Sequence, residues 1–69
     1  MKILFTDRLL QLRKEASLNQ SQLAEALGTT QRKISYWETG KTEPDLASLL
    51  LIAEYFNVTT DYLLGKTEY

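Results

Sequence analysis

The sequence predicts an all-α domain of five short helices. Three observations carry that expectation: apolar residues recur at spacings of three and four, the one Pro and three Gly fall between those stretches, and no apolar run alternates with a period of two. With 69 residues the chain has room for one domain and one core. A domain this small buries only about 60% of its unfolded surface, so its stability is marginal and a second copy would add to it.

The first helix is expected to start at Thr6 as a cap, with Asp7 in its first turn and Phe5, Leu9, Leu12 and Ala16 as its inward stripe. Lys2 to Phe5 is the only stretch that could be extended. Asn19 caps a second helix, Gln20 to Leu27, with Leu23, Ala24 and Leu27 inward and Gly28 as its left-handed end. Thr30 caps a third helix, Gln31 to Glu38, which buries Ile34 and Trp37 and stops at Gly40. After the loop from Lys41 to Pro44, Asp45 caps a fourth helix with Leu46, Leu49, Leu50, Ala53 and Phe56 as its stripe, and Asn57 ends it. Thr59 then caps a short fifth helix with Leu63 and Leu64, closed by Gly65. Leu63 and Leu64 cannot both face one core, so either one is left for a symmetric partner or the pair plugs the domain. Ile3 and Leu4 pose the same alternatives.

Whole classes of chemistry are absent. The chain has neither Cys nor His, which removes disulfides, thiolate and imidazole metal ligands, Cys nucleophiles and His general bases. The acids are scattered, and no two of them form a candidate catalytic pair, so an enzyme is the least supported class. No cofactor, metal site or small-molecule ligand is suggested. The Met-Lys-Ile-Leu-Phe start is too short for a signal peptide, and no run approaches the roughly 18 apolar residues of a membrane span. A cytoplasmic location is the expectation.

Net charge is −1, but it is unevenly placed. Residues 1–42 hold seven bases and four acids, a net of +3, whereas residues 43–69 hold one base, Lys66, and five acids, a net of −4. Either one half is suited to phosphate and the other to solvent or a partner, or the division is ordinary surface scatter.

The segment from Gln20 to Thr39 has the geometry of a helix-turn-helix: two short helices joined by a tight turn containing Gly. Ala24 is small where the helices cross, Gly28 can take positive φ, and Ile34 is a stiff β-branched residue facing the first of the two. Leu23, Leu27 and Trp37 complete the apolar wedge. Thr29 departs from the usual pattern, because an apolar residue is common after the Gly.

The run Leu18-Asn19-Gln20-Ser21-Gln22-Leu23-Ala24, then Gly28-Thr29-Thr30-Gln31, Ile34, Trp37-Glu38, Gly40-Lys41 and Pro44, resembles the phage-repressor and Cro-like helix-turn-helix family. The resemblance continues through Val58 to Leu63-Leu64-Gly65 and so covers nearly the whole chain. It implies a compact five-helix, lambda-repressor-like DNA-binding domain whose third helix lies in the major groove and turns its N-terminal residues to the base edges. Carried over position by position, Gln31, Arg32, Lys33 and Tyr36 are the base-reading residues. Gln suits adenine N6 and N7, and Arg suits guanine O6 and N7. Gln20, at a helix N-terminus, is a phosphate candidate, joined by Thr30, Thr39, Lys41 and Thr42. Glu43 stands where a second base would strengthen that group. Arg13 and Glu38 match positions that form a partly buried ion pair in the family, and Arg8 and Lys14 are read as solvated.

The leading expectation is sequence-specific binding of double-stranded DNA as a transcriptional regulator, a repressor by occupying a promoter or an activator through an acidic surface. A homodimer on an inverted repeat is the expected assembly, with half-sites about one helical turn apart. The alternative is an antitoxin-like protein-interaction module on the same fold, with DNA binding secondary.

Overall fold

The computed structural model describes residues 3–68, and among them the regular structure is five helices: α1 (Phe5–Glu15), α2 (Gln20–Leu27), α3 (Gln31–Thr39), α4 (Leu46–Phe56) and α5 (Thr60–Leu64). Each helix contributes one fully buried side chain to a common centre: Leu9, Leu23, Ile34, Ile52 and Leu63. Phe5, Ala24, Trp37 and Ala53 complete the core. α1 packs on α3 and α5, α2 on α3 and α4, and α4 on α5, so the chain closes on itself through α1 and α5.

Four of the five N-termini are closed by their own cap. Asn19, Thr30, Asp45 and Thr59 are extended, and each side-chain oxygen accepts from the backbone N–H three residues on. At Asn19 the arrangement is reciprocal, because the Gln22 side chain also accepts from the Asn19 N–H at 2.8 Å. These local bonds set the start of each helix independently of packing.

α1 differs from the sequence expectation. It starts at Phe5, its flanking residue is Leu4, and no side chain caps it. Thr6 lies inside the helix, where its Oγ1 donates to the Trp37 carbonyl at 3.3 Å. Burial of Phe5 draws the helix start forward, and the Leu4 N–H donates to the Leu64 carbonyl at 3.0 Å, joining the start of α1 to the end of α5. Asp7 is in the first turn. Ala16 is exposed rather than inward, because Ser17 takes a left-handed φ of 60° and ends the helix there. Of the stretch from Lys2 to Phe5, Lys2 lies outside the described residues and Phe5 is helical.

α4 carries the largest departure. Leu46 is 81% exposed and Leu50 57% exposed, whereas Ile52 is fully buried. Leu49, Ala53 and Phe56 do face the core. The helix is apolar nearly all round, so spacing alone could not select its inner face, and contact with α2 and α5 selects the side bearing Ile52. In α5, Leu63 is buried and Leu64 packs against the core from its edge, so the pair plugs the domain. Leu4 is half-buried and Ile3 is 58% exposed.

Gly65 is required twice over. Its φ is +89°, and a Cβ there would lie 2.7 Å from Leu4 Cγ.

Candidate nucleic-acid interface

Gly28, at φ +71°, turns the chain from α2 toward α3, with Thr29 N–H donating to the Ala24 carbonyl at 2.9 Å. α3 is anchored by Ile34 and Trp37, which leaves its first turn facing outward. Gln31, Arg32 and Lys33 are exposed there, and Tyr36 is half-buried one turn further along. The Thr30 hydroxyl accepts from the Lys33 N–H at 3.2 Å, so the cap holds the same turn that bears the three polar side chains.

A line of hydrogen bonds connects this surface to the interior. Arg13 Nε donates to Glu38 Oε2 at 2.6 Å and Arg13 Nη2 to Glu38 Oε1 at 3.0 Å, a bidentate pair on side chains only 12% and 4% exposed. Arg13 Nη1 also donates to the Leu18 carbonyl at 2.8 Å. The hydrogen bond to Glu38 raises the guanidinium pKa above its ordinary value, outweighing the burial that lowers it. Glu38 Oε1 further accepts from Gln20 Nε2 at 3.0 Å, and Gln20 Oε1 accepts from Gln31 Nε2. The first residue of α3 is thus held by the first residue of α2, which is held by the buried ion pair.

That arrangement alters the reading of Gln20. Its side-chain amide is engaged by Glu38 and Gln31, so what it presents outward is its backbone N–H at the start of α2. Lys41 lies in the loop after α3 with its Nζ 4.5 Å from the Tyr36 ring centroid, a cation–π contact that joins a phosphate candidate to a base-reading candidate. The Thr39 hydroxyl donates to the Ser35 carbonyl at 2.9 Å, and Thr42 is exposed beside Lys41. Lys33 and Thr42 share a shallow groove with Glu43 and Asp45, so acidic groups sit at the edge of the basic surface. The Asp45 carboxylate is held below the usual carboxylate range by its bonds to Ser48, with a smaller contribution from Lys33.

Sequence reasoning missed two features. Arg8 is not solvated: Nη1 donates to the carbonyls of Tyr62 and Thr67, and the guanidinium lies 4.2 Å over the Tyr62 ring. Its partners are more than fifty residues away, so no local signal marks it. The engagement of Gln20 and Gln31 was equally hidden, because both residues are ordinary at a helix start. Lys14 is exposed.

A capped helix pair with a glycine turn, an exposed polar first turn and three supporting helices defines a repressor-type helix-turn-helix domain. The chain belongs to the helix-turn-helix family, whose model matches residues 9–63. It is 45% identical over 64 residues to the HTH-type transcriptional activator BcrR of Enterococcus faecalis, an alignment covering 93% of this chain and 31% of that protein. Among solved structures, a transcriptional regulator from Listeria innocua is 33% identical with a TM-score of 0.90, covering 100% of this chain and 64% of that one. The c2 repressor of phage P22, solved in complex with a synthetic operator, is 30% identical with a TM-score of 0.85, covering 91% of this chain and 96% of that one. The chain therefore spans less than two thirds of the length of BcrR and of the Listeria protein.

Proposed function

We propose that this domain binds double-stranded DNA site-specifically as a transcriptional regulator, with α3 in the major groove. The observation that carries this reading is the outward first turn of α3, where Gln31, Arg32 and Lys33 are exposed on a helix fixed by Ile34 and Trp37. Their chemistry fits base edges: Gln31 pairs with adenine, Arg32 with guanine, and Lys33 with guanine or phosphate. The Tyr36 ring packs on a thymine methyl or its hydroxyl donates to phosphate. Positioning on the backbone falls to the N–H at the start of α2, to Thr30 and Thr39, and to Lys41 and Thr42. The likeness to the P22 repressor, itself solved on an operator, supports this docking.

In this reading two copies bind an inverted repeat, with half-sites about one helical turn apart. The regulator carries out no chemistry of its own and acts by occupying its site. Gln31 reaches DNA already tethered to Gln20, so its amide is oriented before contact and less side-chain entropy is lost on binding.

Retention of the protein on mixed-sequence duplex DNA across a salt series tests the reading. Binding at low salt that weakens linearly with log salt supports it. Absence of any retention at low salt overturns it.

A further inference from the structure

The face that α4 turns to solvent is apolar, where a surface helix is normally polar. Leu46 and Leu50 lie along one ridge at 81% and 57% exposure, and Leu51 is half-exposed across Ala47 from them. Beside the ridge runs a groove of about 220 Å³ lined by Ile3, Phe5, Pro44, Leu46, Leu49 and Leu64, wide enough for an aliphatic side chain. Ile3, on its border, is itself largely exposed. Glu54, one turn beyond Leu50, is the one charge on that face of α4. Single exposed leucines need no explanation, but a contiguous apolar patch on the order of a few hundred Å² marks an interaction site. The other apolar pair considered for a partner, Leu63 and Leu64, is taken up by the core.

We infer that this face is where two copies of the chain meet, with Leu50 of each entering the groove of the other. The inference rests on the DNA-binding reading above, which sets two copies side by side and leaves their contact unassigned. A two-fold contact is made by the same patch on both partners, so the patch must carry both a projection and a recess to receive it. Here the exposed leucine ridge and the apolar groove adjoin on one chain.

Position and size agree with that occupant. Half-sites one helical turn, roughly 34 Å, apart bring two copies of a domain up to 29 Å across within side-chain reach of each other. The patch begins at the end of α4 that lies against α3, where Asp45 and Ser48 share a second groove with Lys33 and Trp37. None of its residues belongs to the α2–α3 surface, so contact through it leaves the first turn of α3 uncovered. At their exposures, Ile3, Leu46, Leu50 and Leu51 present on the order of 500 Å², so a pair buries about 1,000 Å², near the lower limit for specific association. Such a contact is weak in free solution and is made on one duplex, where two bound chains face each other at about millimolar effective concentration.

The test uses the full chain without DNA, so that its failure and failure of the DNA-binding reading are told apart. Sedimentation velocity is expected to show a reversible dimer at about 0.1–1 mM protein, as a weak interface of this area implies. Leu50→Gln is expected to weaken that dimer tenfold or more while leaving the thermal midpoint and retention on mixed-sequence duplex unchanged, because the side chain is exposed and outside the α2–α3 surface. The chain has no cysteine, so Leu50→Cys supplies a single thiol, and a short bis-maleimide is expected to join two copies through it. Gln11→Cys, exposed on α1 outside the patch, is expected to cross-link severalfold less. A chain that stays monomeric with no cross-link at Leu50→Cys, a dimer that Leu50→Gln leaves intact, or equal cross-linking of the two cysteine variants would overturn the inference.

Discussion

Arg13 and Glu38 meet through two parallel hydrogen bonds at 2.6 and 3.0 Å, linking α1 to the far end of α3 across the base of the helix-turn-helix. The pair is almost wholly buried, so removing one partner leaves an uncompensated charge in the interior. Glu38→Ala is expected to destabilise the domain by roughly 3–5 kcal/mol in urea titration. Arg13→Met with Glu38→Leu is expected to recover much of that, because desolvation of the charges is then avoided. Equal losses for the single and double variants would contradict this account of the pair.

Glu38 also accepts from Gln20, which accepts from Gln31, so the double variant separates stability from DNA reading. Its fold is expected to survive while discrimination at the base pair read by Gln31 falls. Competition binding to duplexes that differ at one base pair measures the effect.

Readout and positioning should separate by residue. Gln31→Ala and Arg32→Ala are each expected to lose about 1–3 kcal/mol of discrimination at one base pair while changing affinity for mixed sequence little. Lys41→Ala is expected to weaken binding to every sequence alike and to lower the salt slope by about 0.9. Uniform losses for all three variants would place no sequence reading on α3.

The Asp45 cap predicts an acid limb in stability. Its carboxylate is held below the ordinary range in the fold, so it stabilises the folded state above the unfolded carboxylate pKa and that contribution is lost as pH falls through its folded value. Asp45→Asn keeps an acceptor for the Ser48 N–H but does not titrate. Thermal midpoints between neutral and strongly acidic pH should therefore fall less steeply in this variant than in the wild type.

The glycines that end α2 and α5 should differ in what they tolerate. Gly28→Ala meets no neighbouring atom and bears only the left-handed conformational cost of about 1–2 kcal/mol. Gly65→Ala bears that cost and also forces Leu4 from its place against the end of α5. Chemical denaturation should rank Gly65→Ala below Gly28→Ala.

What could be read from the sequence was what is local. Asn19, Thr30, Asp45 and Thr59 bond to N–H groups three residues away, so the starts of α2 to α5 follow from a few neighbouring residues. Gly28, Gly40, Asn57 and Gly65 take positive φ and end their helices by equally local means. The start of α1 was misread because Thr6 bonds to Trp37, thirty-one residues away. The inner face of α4 was misread because leucines occupy both sides of it. At the site, the exposure of Gln31, Arg32 and Lys33 followed from the inward spacing of Ile34 and Trp37. The tether from Gln31 through Gln20 to Glu38 depends on three elements meeting, and no spacing within one helix encodes it.

The central claim is that the first turn of α3 reads DNA sequence. Selection of binding sites from a random duplex pool tests it most directly, performed with the wild type, with Gln31→Ala and with Arg32→Ala. The account predicts an inverted repeat with half-sites about one helical turn apart, and loss of preference at one symmetric pair of positions in each variant. A pool that shows no enriched motif, or a motif unchanged by Gln31→Ala and equally by Arg32→Ala, would contradict it.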